Sequence, residues 1–396
     1  MTLHGTWRVA LLAVGIVAAG AARVGAQGTG RSLDIDTSIR AAGMGGANSA
    51  VFWGEPSLWG NPAATAFVQG VRYEYGRTQL VPGLADDIFI TSRRVLLGAG
   101  GLGVSMMGRP SKDIGGTKLD YGESVATDPS GNPIGVFDSY EKIEAYGAGL
   151  AFARAFDGLS ALSGHPTSIS RFGEFAAGLQ KKHLEMLLGP GEAGHTDAFD
   201  WGWQLRASPL QLAPEPLRKR VGIDVAWGRS VLNSNGTWVD FPTLGNTPTS
   251  RIRRHGVAVF GHVHGPWEDH REPGLGGLLR SGFAPLVALG WAQDHEHVTL
   301  ADAQEAGGYD VDRDGVELTV LGVATYRTGH VTDLVGDIDG DTSGWGLAIP
   351  LGDIAIVRYD HATIPQARNS GLQDVERHGW SGSFDPIALW KYAHAR

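Results

Sequence analysis

Two imidazoles stand at i and i+2 in Gly261-His262-Val263-His264, a spacing used by two-metal phosphoester hydrolysis. That chemistry also needs upstream Asp-x-His, Gly-Asp-x-x-Asp and Gly-Asn-His blocks, and none precedes the pair. On a strand His262 and His264 share a face and could take a metal with Asp269 or His270, but a pair of rim histidines explains them with less. Asp294-His295-Glu296-His297 reads the same way. Asp310, Asp312 and Asp314, followed by Gly315, match the opening positions of a calcium loop, and Asp337-Ile338-Asp339-Gly340-Asp341 repeats the pattern more briefly. Leu321 stands where such a loop closes with a bidentate Glu, so a solvated acidic turn is the reading preferred over calcium, the one cofactor the chain suggests. No Gly-x-Ser-x-Gly, phosphate loop, dinucleotide fingerprint or zinc-protease helix is present, and nothing argues for an enzyme.

The elements that must position these residues follow from composition and period. The 396 residues include 59 Gly and no Cys, with 19% charged residues and a formal net charge of -9. Without cysteine there are no disulfides, thiolate zinc sites or iron–sulfur clusters. Excess acid disfavours a nucleic-acid partner. Beyond the N-terminus no apolar run approaches the ~18 residues of a membrane helix.

From residue 70 the chain alternates with period two, which predicts strands with unlike faces. Trp201, Trp203 and Leu205 share one face, and Asp200, Gly202, Gln204 and Arg206 the other. Val221, Ile223, Val225 and Trp227 oppose Gly222, Asp224, Ala226 and Gly228. Leu102, Val104 and Met106 oppose Gly101, Gly103 and Ser105, and Tyr146, Ala148, Leu150 and Phe152 oppose Gly147, Gly149, Ala151 and Ala153. A soluble sandwich would send charge to water from the second face, whereas here it is mostly Gly and Ala. A transmembrane barrel instead turns the bulky face to lipid and the small or polar face to its lumen. The expected fold is therefore an all-β, antiparallel transmembrane barrel of about twelve to fourteen strands, with Asp200, Gln204, Arg206 and Asp224 facing the lumen. No helix long enough for a crossover separates the strands, which disfavours an α/β fold.

Strands are expected at 139–155, 279–293, 315–328, 342–350 and 353–361, among others, with long links at 109–138, 187–197, 233–250, 294–314 and 329–341. Short turns on one rim and long loops on the other would suit an outer-membrane barrel. The barrel is assigned to 70–361 and a C-terminal tail to 362–396, with a helix opening at Asp385-Pro386. Residues 1–26 read as a cleaved export signal: Arg8, an apolar run over 9–22, then Val24-Gly25-Ala26. Residues 27–69 do not alternate and are assigned to a hatch inside the barrel. Its Met44, Trp53 and Trp59 are large enough to fill space that a Gly- and Ala-rich wall would leave.

Arg40-Ala41-Ala42-Gly43-Met44-Gly45-Gly46-Ala47, followed by Trp59-Gly60-Asn61-Pro62-Ala63, resembles the N-terminal signature of FadL-type outer-membrane transporters and their PorV-like relatives. Gly60, inserted between the aromatic and Asn, and a lone Glu55 in place of an aspartate run depart from that pattern. The resemblance implies a barrel of about fourteen strands closed by an N-terminal hatch, bacterial outer-membrane localisation, and a lipid environment. It implies either passage of hydrophobic or small solutes, or a non-transporting role with exported proteins as partners. In physical terms Gly45 and Gly46 permit a tight backbone path, and Pro62 fixes a turn that Asn61 can cap.

Overall fold

The computed structural model describes residues 29–394 except 86, 109–115, 129, 190, 192, 243–244, 266–284 and 301–307, so the expected export signal, Asp269 and His270 lie outside the described residues. Among these residues the strands are β1 (Gly70–Gln79), β2 (Phe89–Ala99), β3 (Leu102–Met107), β4 (Gly116–Thr127), β5 (Pro133–Ala151) and β6 (Gly173–Leu187). They continue as β7 (Gly194–Ala207), β8 (Val221–Leu232), the short β9 (Trp238–Phe241) and β10 (Gly245–Pro248), β11 (Ser250–Val263) and β12 (Val287–Leu300). The last five are β13 (Tyr309–Val320), β14 (Ala324–Asp333), β15 (Ile338–Leu351), β16 (Ala355–Ile364) and β17 (Val375–Phe384).

Every neighbouring pair is antiparallel, and β17 returns to β1, from Val71 opposite Phe384 to Gln79 opposite Glu376. β3 and β4 both lie between β2 and β5 and together occupy one position in the ring. β9 and β10 form a small hairpin against the start of β7. The result is a closed antiparallel barrel of fourteen strands. The rim where β1 begins and β17 ends is called lower here, and the opposite rim upper.

The alternation has a direct outcome. Trp201, Leu205, Trp227, Leu102, Val104, Met106, Tyr146, Leu179 and Leu289 point outward and are exposed. The residues between them point inward, and many are buried. Above this band the outer face turns polar: His183 bonds Asp197 at 2.8 Å, His295 bonds Asp312 at 2.7 Å, and His330 bonds Asp341 at 2.8 Å.

Several boundaries differ from expectation. The tail assigned to 362–396 contains β17, the strand that closes the ring, and Gly379, Gly382 and Ser381 mask its alternation. The helix Pro386–His394 does begin after Asp385, whose carboxylate accepts from the N–H of Ile387 at 2.8 Å. The stretch 315–328 is a hairpin, β13 and β14, and the link 294–314 is largely strand. Likewise 329–341 is two strand ends around a short turn, not a long loop. In these strands polar residues alternate with polar residues, a pattern that resembles a loop in sequence. The strand at 139–155 ends at Ala151 and turns into the helix Phe152–Leu162. That helix belongs to a long link on the lower rim, between β5 and β6, so loop length does not separate the rims.

Candidate functional site

Residues 29–69 run along the inner face of the barrel. Thr29 bridges Thr249 at the upper rim, and Val68 leads into Gly70 at the lower. The path is marked in the wall by glycine. A methyl group at Gly228 would overlap the Ser49 carbonyl, one at Gly202 the Asn61 side chain, one at Gly178 the Pro62 carbonyl, and one at Gly103 the Thr65 carbonyl. At Gly290 it would overlap the Trp53 ring, and at Gly98 the Val68 carbonyl. These positions accept backbone where any side chain would exclude it. The small inward face is therefore a seat, and the volume it leaves is already taken.

Within the segment, Ser38 caps the short helix Ile39–Gly43, its hydroxyl accepting from the Ala41 N–H at 3.2 Å. Gly45 and Gly46 follow with φ of 67° and 85°, a path that L side chains rarely take. The Gly45 N–H donates to Thr342 Oγ1 at 2.9 Å, and Met44 is buried beside Gly315 and Gly329. Asn61 Oδ1 accepts from the Ala63 N–H at 3.0 Å and its Nδ2 donates to Ser49 O at 2.7 Å and to Trp203 O at 3.0 Å. Pro62 stands at the first position of the 3-10 turn that follows, where its missing N–H costs nothing.

Charged wall residues hold this path. Asp294 accepts from the N–H groups of Asn48 and Ser49, both at 2.8 Å, and from Ser49 Oγ at 2.6 Å. Arg40 makes a two-armed bond to Glu317, 2.7 Å on each arm, while Trp53 Nε1 donates to the same carboxylate at 3.0 Å. Arg327, fully buried, adds 2.7 Å to Glu317 and 2.6 Å to Asp360. Higher up, Lys182 and Asp200, both fully buried, pair at 2.7 Å, with the Lys182 ammonium 4.3 Å from the centre of the Trp59 ring. Glu141 accepts from the Ser32 N–H at 2.9 Å and from Tyr121 OH at 2.7 Å. Asp34 completes this tier, accepting from Asn233 Nδ2 at 3.1 Å. Burial pushes its carboxyl up to about 6, against the opposing pull of Arg31, Ser250 and Lys182.

Of the inward residues read from sequence, Asp200 joins this network. Gln204 is buried and donates to Ser49 O at 2.9 Å and Val51 O at 3.2 Å. Arg206 donates to Ser170 O at 2.8 Å near the lower rim, and its guanidinium lies 5.4 Å from the Phe52 ring centre. Asp224 accepts from Ser208 Oγ. Arg40, Lys182, Asp294, Glu317 and Arg327 were missed. Their signal was an isolated charge on an otherwise small face: Asp294 and Glu296 point inward, while His295 and His297, read with them as one cluster, point outward.

The calcium-loop spacing of Asp310, Asp312 and Asp314 lies in β13, an extended strand, so period two puts all three on the outer face. Asp310 is bonded to His297 at 2.6 Å and Asp312 to His295 at 2.7 Å. That corrects the loop reading. Among the described residues no group of three or more His, Cys, Asp or Glu is arranged to hold a metal ion. His262 and His264 stand at the lower end of β11, ring centres 4.5 Å apart.

Below the segment the interior opens. A chamber of about 450 Å3 is bounded by Trp53, Phe260, Ile354, Ile356, Arg358 and Phe384. Trp53 roofs it, stacked 5.0 Å from Phe260. In the middle tier a smaller space of about 50 Å3 lies beside Arg40, Glu55, Glu74 and Arg94.

No family model and no curated protein matches the chain. Among solved structures it is similar to the toluene transporter TodX of Pseudomonas putida, at 12% identity over 87% of this chain and 96% of that one, with a TM-score of 0.42. It is similar to a FadL homologue of Pseudomonas aeruginosa at 11% identity, over 88% and 98%, with a TM-score of 0.41. The toluene transporter TbuX of Ralstonia pickettii stands at 11%, 87%, 97% and 0.42. The closed barrel rests on its own strand pairing, not on these likenesses.

Proposed function

We propose that the chain is an outer-membrane channel for hydrophobic or small solutes, exported by residues 1–26 and plugged by residues 27–69. One observation carries this reading: beneath the interior segment lies a chamber of about 450 Å3 where Trp53, Phe260, Ile354 and Ile356 supply apolar surface beside the polar Glu317, Arg358, Asp353 and Asp385, large enough for a small molecule with an apolar part. An outward band of large apolar side chains around the closed ring supports placement in a bilayer. A barrel of this strand number is wider than side chains alone fill, so it would leak without the segment. Phe52, Trp53 and Phe260 face one another above the chamber and suit contact with apolar solutes.

Two measurements test the reading. Cells bearing the chain should admit the apolar dye phenylnaphthylamine faster than cells with an empty vector; equal entry removes the channel. In planar bilayers, deletion of 40–64 should raise single-channel conductance. A truncated barrel that still resists unfolding in detergent until boiled, yet conducts no more than the intact one, means the segment is not the plug.

A further inference from the structure

On the lower rim, Phe152–Leu162 forms an amphipathic helix whose Asp157, opposite the apolar face, accepts from the N–H groups of Ile169 and Ser170, both at 2.9 Å. Glu174 accepts from the N–H groups of Ala153 at 2.8 Å and Arg154 at 2.9 Å, and the Arg154 guanidinium lies 5.2 Å from the Phe67 ring centre. Phe152, Phe156 and Leu159, at i, i+4 and i+7, form the opposite face, and they are 49%, 52% and 67% exposed. No residue of the helix is buried.

That apolar face continues the outward wall of the barrel. The Phe152 ring lies 5.5 Å from Phe175 on β6, and Phe175 lies 6.4 Å from Trp203 on β7. Beside the helix, Phe172, Ala207, Pro209 and Leu212 border an apolar hollow of about 400 Å3. The Arg171 guanidinium stands 4.4 Å from the centre of the Phe172 ring, a cation beside an apolar surface. Arg218, Lys219 and Arg220 follow in the next lower-rim connection.

We propose that this shelf is an in-plane anchor in phospholipid. Phe152, Phe156 and Leu159 lie among the acyl chains of the leaflet at the lower rim, the hollow beside Phe172 takes an acyl chain, and Arg171 with Arg218 and Arg220 meets the phosphates. The proposal rests on the membrane-barrel reading. Continuity from Trp203 through Phe175 to Phe152 argues for lipid as the occupant, because the same phase that covers the wall reaches the helix without a break.

The chain has no cysteine, so single labels report cleanly. Leu159→Cys on the apolar face, Gly158→Cys on the opposite face and Leu179→Cys on the outer wall of β6 would each carry an environment-sensitive nitrobenzoxadiazole label in phospholipid vesicles. A Cβ added at Gly158 meets nothing within 4 Å, so the position has room for a side chain. The label at Leu159 should emit further to the blue than that at Gly158. A nitroxide placed near the lipid headgroup should quench it roughly twice as strongly, as expected for a face about 5–10 Å into the headgroup boundary, and aqueous iodide should reach it less. If iodide quenches it and the lipid nitroxide does not, while Leu179 is quenched from lipid, the anchor is wrong and the barrel stands. Protection from both quenchers only after envelope extract is added would assign the face to a protein and overturn the proposal. An unquenched Leu179 label overturns the membrane reading, and the anchor falls with it.

Discussion

Asp34 sits where the interior segment meets the upper ends of β8 and β11, with Arg31, Lys182, Glu141, Asn233 and Ser250 around it. Its docked carboxyl titrates near 6, raised by burial above the ordinary 3.8. Docking therefore favours the protonated form: the contribution is full below the ordinary value and is lost as pH rises through about 6. Amides of residues 31–35, corrected for intrinsic exchange, should be better protected from hydrogen exchange at about pH 5 than at about pH 7.5. Asp34→Asn should flatten the difference; equal protection of the unmodified chain at both pH values would refute the assignment. Glu317 anchors the same segment lower down, between Arg40 and Arg327. Neither residue stood out in the sequence, because a single charge among small residues carries no spacing to recognise.

The strands were legible where large and small residues alternate, as in β3, β7 and β8, since period two assigns both structure and face. They were obscured where polar residues alternate with polar residues. Asp310 to Gly315 looked like a ligand loop because outward aspartates at i, i+2 and i+4 are also what a strand above the apolar band presents. β17 was hidden for a related reason: its inward row ends in Gly379, Ser381 and Ser383, and Gly382 interrupts its outward row. The signature residues Met44, Gly45, Gly46, Asn61 and Pro62 pointed to a tight backbone path, but the wall glycines that receive it could be matched to them only in three dimensions. Depth along a strand is testable at Leu289 on β12, which faces outward between Leu318 and Gly261. Leu289→Arg should impair assembly by about 2–4 kcal/mol if it lies near the bilayer midplane, whereas His297→Arg, on the same face above the band, should cost about 0–1 kcal/mol. The readout is the urea midpoint of refolding into vesicles, and equal midpoints would mean that the apolar band does not face lipid. Trp203 is a poorer site, because Arg229 lies directly across from it on β8.

For the molecule as a whole, the ring closes through β1 and β17, the first and last strands, so closure waits on residues more than three hundred positions apart in the chain. The segment, seated against wall glycines from Gly98 on β2 round to Gly344 on β15, precedes all of them. An even number of strands returns a chain to the side on which it started. Residues 29–69 add one further traverse, from Thr249 at the upper rim to Gly70 at the lower, and change the parity. On the membrane reading proposed above, the two ends of the described chain face opposite sides of the bilayer. Cysteines placed at residue 29 and at residue 394 should react with a membrane-impermeant maleimide from opposite faces of the same membrane, and reaction of both from one face would contradict the traverse. A reporter fused near one end would be sealed away from a reporter fused near the other, making this barrel a two-sided scaffold.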